Sequence, residues 1–136
     1  MSVKDYVTRI HSSLLEIDAA QWNALLANSD APTPFMRHEY LQALHDSGSA
    51  TAGTGWQPQY LVAEAEDGTL QGAAPLYVKG HSYGEYVFDW AWANAYAQHG
   101  LEYYPKWLSA VPFTPVQGTR LLARDAMARA ALLDTL

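Results

Sequence analysis

The chain has 136 residues, a size typical of one domain with its own hydrophobic core. Its formal net charge is −6 and it has only eight Lys and Arg residues, which argues against a nucleic-acid-binding surface. It has no cysteine, so disulfides, thiol nucleophiles and cysteine-based zinc sites are excluded, and a reducing cytosol is the expected environment.

The N-terminal segment carries Lys4, Asp5 and Arg9 where a secretory signal would need an apolar core. No stretch of the sequence approaches the ~18 consecutive apolar residues that suggest a membrane span. We therefore expect a cytoplasmic protein without a membrane span.

The first third of the chain is predicted to form one strand and two helices. Residues 7–17 are rich in Val, Ile and Leu, which is typical of a strand. Asp18 then stands where a helix N-cap is expected, and it precedes a stripe of apolar residues at helical spacing: Trp22, Leu25 and Leu26. A second helix is predicted over residues 37–48, with one apolar face: Tyr40, Leu41 and Leu44.

The middle of the chain is predicted to contain a hairpin, a strand and a short helix. Two apolar runs within residues 59–78 flank Asp67 and Gly68, a dipeptide typical of a hairpin turn. Residues 82–90 predict a strand, and residues 91–100 predict a short helix that ends in glycine.

The last third of the chain is predicted to contain a strand and a helix. Residues 107–116 predict the strand. The final segment predicts a helix with an apolar stripe: Leu122, Ala126, Ala130 and Leu133. Because this helix has no stop signal, we expect the chain to be the first part of a longer protein. The element order predicts an α+β or mixed α/β fold, with residues 1–136 forming one domain around one central sheet.

The segment 80–96, GHSYGEYVFDWAWANAY, gathers ionisable and aromatic side chains. If it is extended, the alternation of a strand places His81, Glu85 and Asp89 on one face. Such a face could supply a general base and acid, above all if aromatic neighbours desolvate Glu85 and raise its pKa. The alternative is local hydrogen bonding at a loop or a sheet edge. On a helix the three side chains could approach one metal ion, but Gly84 disfavours a helix, and no metal site is predicted.

A second candidate site lies in residues 111–122, where an apolar strand leads into a loop with one glycine and then into a helix. Backbone N–H groups at the start of that helix, together with Arg120, could cradle a pyrophosphate. The alternative is an ordinary strand-to-helix turn in which Arg120 forms a cap or a surface ion pair.

Ten of the seventeen aromatic residues lie between Tyr77 and Trp107. They could form a stacking platform for an adenine, a sugar or a peptide, or they could belong to the core. We expect Phe88 and Trp107 in the core, and Trp92 with Tyr96 on a packed helix face.

Two segments resemble a known family. PLYVKGHSYGEYVFDWAWANAYAQHGLEYYPKWLSAVPFTPVQGTRLL and WNALLANSDAPTPFMRHEYLQALHDSGSA are similar to the FemAB-like family of peptidoglycan biosynthesis or recognition proteins, which is placed in the GNAT acyltransferase superfamily. The resemblance implies a GNAT-like fold, with a central, mostly antiparallel sheet flanked by helices. It also implies that the chain is an N-terminal half that packs on a missing C-terminal domain.

The superfamily binds acyl-CoA in a splay between its fourth and fifth strands. The resemblance then implies that residues 111–116 form the fourth strand and residues 117–121 form the pyrophosphate loop, although this loop keeps only one of the usual glycines. The implied cofactor-binding residues are Val111, Phe113, Thr114, Val116, Gln117, Gly118, Thr119, Arg120 and Leu121.

Two hypotheses follow. The first is an acyl- or aminoacyltransferase with acyl-CoA as a candidate cosubstrate, no tightly bound cofactor and a small-molecule or peptide amine as acceptor. Its base would be Glu85, with His81 or Asp89 as alternatives, and the backbone of residues 111–116 would polarise the carbonyl. The second is a non-catalytic half that recognises a peptide or glycan. An exposed edge or apolar face could also produce a homo-oligomer.

Overall fold

Strands and helices alternate in small groups along the chain. The computed structural model describes residues 6–81, 90–114 and 118–136. In these residues the strands are β1 Val7–His11, β2 Gln57–Pro58, β3 Tyr60–Glu64, β4 Leu70–Ala74, β5 Tyr77–Lys79, β6 Lys106–Leu108 and β7 Leu122–Ala123. The helices are α1 Ala19–Ala27, α2 His38–Asp46, α3 Trp90–Gln98 and α4 Ala126–Thr135. Short 3₁₀ helices form at Leu14–Glu16, Pro34–Met36 and Ala52–Thr54.

The strands form two antiparallel sheets. Four strands pair in the order β1-β3-β4-β7, and three pair in the order β2-β5-β6. The predicted α+β class is confirmed, but the strands of the described residues form two sheets instead of one. Pro75 follows β4, and a proline has no N–H to continue the ladder, so the chain leaves the first sheet there and joins the second as β5.

The hairpin between β3 and β4 is confirmed. Gly68 adopts φ 84°, and the backbone N–H of Thr69 donates to Asp67 Oδ1 at 2.9 Å. Hydrogen bonding from Thr69 lowers the pKa of Asp67. The strands pair from Leu61 opposite Ala74 to Glu64 opposite Leu70, with one irregularity after Ala63.

Both faces of the four-stranded sheet are covered. Alternate residues of β3 point to opposite faces, so Tyr60 and Val62 join the core with α1 and α2. Leu61 and Ala63 pack on the other face against α4, where Leu132 is fully buried.

Helix α1 agrees with its prediction. Asp18 caps the helix, because Asp18 Oδ1 accepts a hydrogen bond from the Gln21 N–H at 3.0 Å. The predicted stripe is buried: Trp22, Leu25 and Leu26. Helix α2 is likewise confirmed, with one apolar face that is buried or packed against the core: Tyr40, Leu41 and Leu44.

Two predicted strands are shorter than expected. β1 ends at His11, because the side chain of Ser13 caps a 3₁₀ helix. The strand predicted over residues 107–116 is limited to β6, and the described chain leaves the sheet after Leu108. Phe113 has φ 60°, a left-handed conformation that a strand excludes.

The C-terminal helix is confirmed, but its buried face differs from the predicted stripe. Asp125 caps α4 by accepting a hydrogen bond from the Ala128 N–H at 2.8 Å. Ala128 and Leu132 are the buried residues, and Leu122 precedes the helix in β7, opposite Ala73. The remaining residues of the predicted stripe are exposed: Ala126, Ala130 and Leu133.

The strand predicted over residues 82–90 falls largely outside the described residues, which exclude 82–89. Its last residue, Trp90, begins α3 instead. Within the described stretches, no helix combines the length and apolar character that crossing a membrane requires.

Candidate functional site

The predicted catalytic segment is described only at its edge. Glu85 and Asp89 lie outside the described residues, and so do Val116 and Gln117 of the predicted cofactor site. His81 is described and lies half-buried just after β5. The other predicted site residues separate into two groups, one at residues 111–114 beside Trp56 and one at the start of α4.

A buried lysine lies two residues before His81. Lys79 is 0% exposed, and its Nζ lies 3.8 Å from the ring centroid of Trp56, which is also 0% exposed. Tyr77 contacts the same indole edge-on, with ring centroids 5.1 Å apart. Because an ammonium group is costly to bury, the indole face stabilises Lys79 in this position. We call Trp56, Tyr77, Lys79, His81 and Phe113 the Lys79 cluster.

Two polar groups of the Lys79 cluster are unsatisfied. Trp56 Nε1 and Tyr77 Oη are buried and have no hydrogen-bond partner in the described part of the chain. Burial, together with the neighbouring Tyr60, raises the pKa of Tyr77 well above its ordinary value. Tyr77 therefore remains protonated at neutral pH. The cluster thus combines an ammonium, an indole N–H and a phenol O–H, all of which can donate to oxygen.

His81 is held against the backbone of the residue that precedes Trp56. Gly55 has φ 85°, and a Cβ at this position would overlap the imidazole Nε2 of His81. Only glycine combines this backbone conformation with such a close approach. The contact places the imidazole of His81, the predicted alternative base, against the backbone of Gly55.

Residues 111–114 form a turn, and this turn carries Phe113 into the Lys79 cluster. Val111 is buried in the core, and the Phe113 ring lies 5.5 Å from the Trp56 ring, centroid to centroid. Thr114 Oγ1 lies 3.0 Å from Tyr40 Oη and donates to the Pro112 carbonyl at 2.9 Å. Among the predicted site residues in this segment, Phe113 contacts Trp56, which follows the Gly55 that His81 approaches.

The left-handed backbone of Phe113 leads to a stability prediction. Phe113→Gly and Phe113→Ala both remove the ring contact with Trp56, but alanine retains the strain of φ 60°. We expect the glycine variant to be more stable than the alanine variant by about 1 kcal/mol, measured by chemical denaturation. An alanine variant as stable as the glycine variant would show that the position does not require a left-handed backbone.

The second group lies in an open groove of ≈ 620 Å³ where α4 begins. Three of the chain's eight Lys and Arg residues line it: Arg120, Arg124 and Arg129. Two further residues of the predicted loop, Thr119 and Leu121, also line it. Arg124 and Arg129 are exposed and form no ion pair within residues 6–81, 90–114 and 118–136. We call this feature the arginine groove.

Local hydrogen bonds position the walls of the arginine groove. The Thr119 N–H donates to the Ala31 carbonyl at 3.4 Å, and Arg120 Nη1 donates to the Gly118 carbonyl at 3.2 Å. Partial burial lowers the pKa of Arg120 from its ordinary value, but arginine remains charged at neutral pH. The Tyr6 hydroxyl donates at 3.2 Å to Oδ2 of Asp125, which lines the groove.

The arginine groove combines positive side chains with the N-terminus of a helix. Guanidinium groups bind phosphate and carboxylate oxygens in a bidentate manner, and the helix dipole favours negative charge at this end. Asp30 and Asp125 also line the groove, so its positive charge is only partly balanced. The groove can hold an anionic group at its arginine wall. No group of three or more His, Asp or Glu residues in the described stretches is arranged to hold a metal ion.

The comparison with protein families decides the family. The model of the FemAB-like family, described as peptidoglycan biosynthesis/recognition, matches residues 13–136. The chain belongs to the FemAB-like family. The resemblance found in the sequence is therefore confirmed. The curated proteins and the solved structures gave no significant match.

Several features of this FemAB-like chain were missed or misjudged from the sequence. The buried contact of Lys79 with Trp56 was not predicted, although the alternation of Tyr77, Lys79 and His81 was a usable signal. The expectation that Trp107 is a core residue is wrong, because it is 52% exposed. The prediction that Trp92 lies on a packed helix face is also wrong, because Trp92 is 66% exposed.

Proposed function

We propose that this FemAB-like chain takes part in the transfer of an acyl or aminoacyl group to an amine acceptor of peptidoglycan metabolism. The observation that carries the proposal is the arginine groove at the start of α4. Three arginines line it within a chain of net charge −6, so this positive surface is local and needs an explanation. Binding of an anionic acyl donor would explain this positive surface.

Acyl-CoA is the donor that we propose. Arg124 and Arg129 would bind its phosphate oxygens, and Arg120 would contribute from the loop side of the same groove. Phe113 belongs to the Lys79 cluster and Thr119 lines the arginine groove, so the two features lie close together in the sequence. We propose that the thioester lies between them, with the acceptor amine on the side of His81.

The reaction requires removal of one proton and stabilisation of one oxyanion. The amine nitrogen attacks the donor carbonyl, a C–N bond forms, and the C–S or C–O bond breaks as the thiol or alcohol leaves with a proton. We propose Glu85 as the base that takes the amine proton, with His81 or Asp89 as alternatives. Backbone N–H groups within residues 111–116 would stabilise the oxyanion.

Replacing Glu85 with glutamine tests the proposed base. Because the amide cannot accept the amine proton, we expect transfer from acetyl-CoA to a lysine-containing peptide to fall at least about 100-fold, measured as thiol release. Glu66→Gln is the matched control, because Glu66 is exposed in the β3–β4 turn. Unchanged transfer by Glu85→Gln would remove Glu85 from this role, and a fall in His81→Gln or Asp89→Asn would then identify the base.

A further inference from the structure

Helix α4 has two apolar faces, and only one of them is buried. Ala128 and Leu132 are buried, and Leu132 packs in the cluster on the outer side of the four-stranded sheet. On the other side of the helix, three apolar residues are exposed: Ala126, Ala130 and Leu133. We call these three residues the α4 seam. A helix that covers a sheet needs one apolar face, so the second face indicates a contact with another molecule.

The α4 seam is part of a longer apolar surface. Leu133 is 49% exposed at its centre. Met127 at the start of the helix is 41% exposed, and Leu136 just after its end is 56% exposed. Three large apolar side chains are therefore exposed along one short helix, together with the two alanines of the seam.

The spacing of the α4 seam is that of a helix pair. Ala126, Ala130 and Leu133 are separated by four and then three residues, as are the d, a and d positions at which two helices meet in a coiled coil. The two alanines allow the helix axes to approach closely, and Leu133 fills the space beside them. Because α4 is already folded against the sheet, pairing does not require a helix to form.

The charges beside the α4 seam favour a second copy of this chain in one orientation. Arg129 and Asp134 flank the seam on opposite sides, at its g and e positions, and neither forms an ion pair in the ranges that the structure describes. In a parallel pair, a g residue faces the e residue five positions later on the other helix. Arg129 of each copy would then face Asp134 of the other copy, twice by symmetry. An antiparallel pair would instead bring like charges together.

We infer that the α4 seam is a homodimer interface, in which two copies of the chain pair their α4 helices in parallel. Leu133 of one copy packs on Leu133 of the other, and two Arg129–Asp134 ion pairs flank this contact. Because α4 has ten residues and is about 15 Å long, the interface belongs to the small class and the dimer is reversible. Arg129 also lines the arginine groove, and its guanidinium has enough N–H groups to contact a phosphate and a carboxylate together.

The first test is sedimentation equilibrium from about 10 μM to about 1 mM protein without any acyl donor, because a small interface requires high concentrations. We expect a monomer–dimer equilibrium. Leu133→Glu should raise the dissociation constant at least about tenfold, because it places two carboxylates in the apolar centre of the contact. Leu15→Glu is the matched control, since Leu15 is 79% exposed in the first 3₁₀ helix, and its dissociation constant should stay within about twofold of wild type. Circular dichroism checks that both variants are folded.

A charge exchange tests the parallel orientation. Asp134→Arg places two pairs of positive charges across the contact, and we expect it to raise the dissociation constant at least about threefold. Combining it with Arg129→Asp in the same chain restores opposite charges and should return the dissociation constant to within about twofold of wild type. An equimolar mixture of the two single variants should likewise associate more tightly than either variant alone.

Three results would overturn the inference. A wild-type protein that remains monomeric at about 1 mM would assign the α4 seam to a different partner. A dimer that Leu133→Glu does not weaken would place the contact on another surface. Failure of the charge exchange to restore association would contradict the parallel orientation. Because no donor is present, self-association is measured independently of transfer, and loss of transfer in a protein that still dimerises would contradict the proposed function alone.

Discussion

Trp56→Ala is expected to lower the free energy of unfolding by about 3–5 kcal/mol. The indole is 0% exposed and contacts Tyr77, Phe113 and the ammonium of Lys79. Its removal leaves a cavity and also takes away the aromatic face that stabilises a buried charge. Since small domains have about 5–15 kcal/mol of stability in total, this single change should bring the protein close to unfolding.

Guanidinium denaturation followed by circular dichroism measures this effect without depending on tryptophan fluorescence. Trp92→Ala is the control, and because Trp92 is 66% exposed we expect a change within about 0.5 kcal/mol. If Trp56→Ala does not fold, Trp56→Phe should fold with an intermediate stability, because it retains a ring beneath Lys79. Similar small losses in the Trp56 and Trp92 alanine variants would contradict the buried position of Trp56.

The double variant Arg124→Gln, Arg129→Gln is expected to weaken binding of acetyl-CoA about 100-fold. Two charge-assisted hydrogen bonds to phosphate are worth about 3 kcal/mol or more together, which corresponds to this factor. Both arginines are exposed, and neither forms an ion pair in the described ranges, so the fold should not change. Affinity of the wild-type protein should also fall as salt concentration rises.

Arg9→Gln is the matched control for the double variant. Arg9 is exposed on β1, where its Nε lies 3.1 Å from Glu64 Oε2, and it does not line the arginine groove. We expect its donor affinity to match that of the wild-type protein. Equal losses in Arg9→Gln and in the groove variant would indicate a general effect of net charge instead of a site.

Structural features that depend on residues adjacent in the sequence were predictable. Asp18 caps α1, and the Asp67–Gly68 turn joins β3 and β4, because each depends on hydrogen bonds to adjacent backbone. The stripe of α1 was also predictable, since Trp22 and its two leucine neighbours follow helical spacing within one segment.

Features decided by distant contacts were not predictable in the same way. The burial of Lys79 depends on Trp56, which is far earlier in the chain, and an isolated lysine in a strand is normally read as exposed. The division into two sheets depends on where Pro75 interrupts pairing. Leu122 was counted as helical because its spacing fits α4, whereas its backbone pairs with β4 at Ala73.

The arginine groove was predictable only in part. Arg120 was identified as a candidate anion contact from its position in a strand-to-helix loop. Arg124 and Arg129 were not, because their approach to Arg120 requires the turn at β7 and the cap at Asp125 that starts α4. The pattern of the loop indicated Arg120, and the fold added the remaining two arginines.

The central claim is that the arginine groove holds the phosphate groups of an acyl donor. Calorimetric titration of the wild-type protein with acetyl-CoA, compared with S-acetylpantetheine, tests it most directly because the second compound has the same thioester without phosphates. The proposal predicts a measurable heat of binding for acetyl-CoA and affinity at least about 100-fold lower for S-acetylpantetheine. No heat with acetyl-CoA at millimolar concentration, or equal affinity for the two compounds, would contradict it.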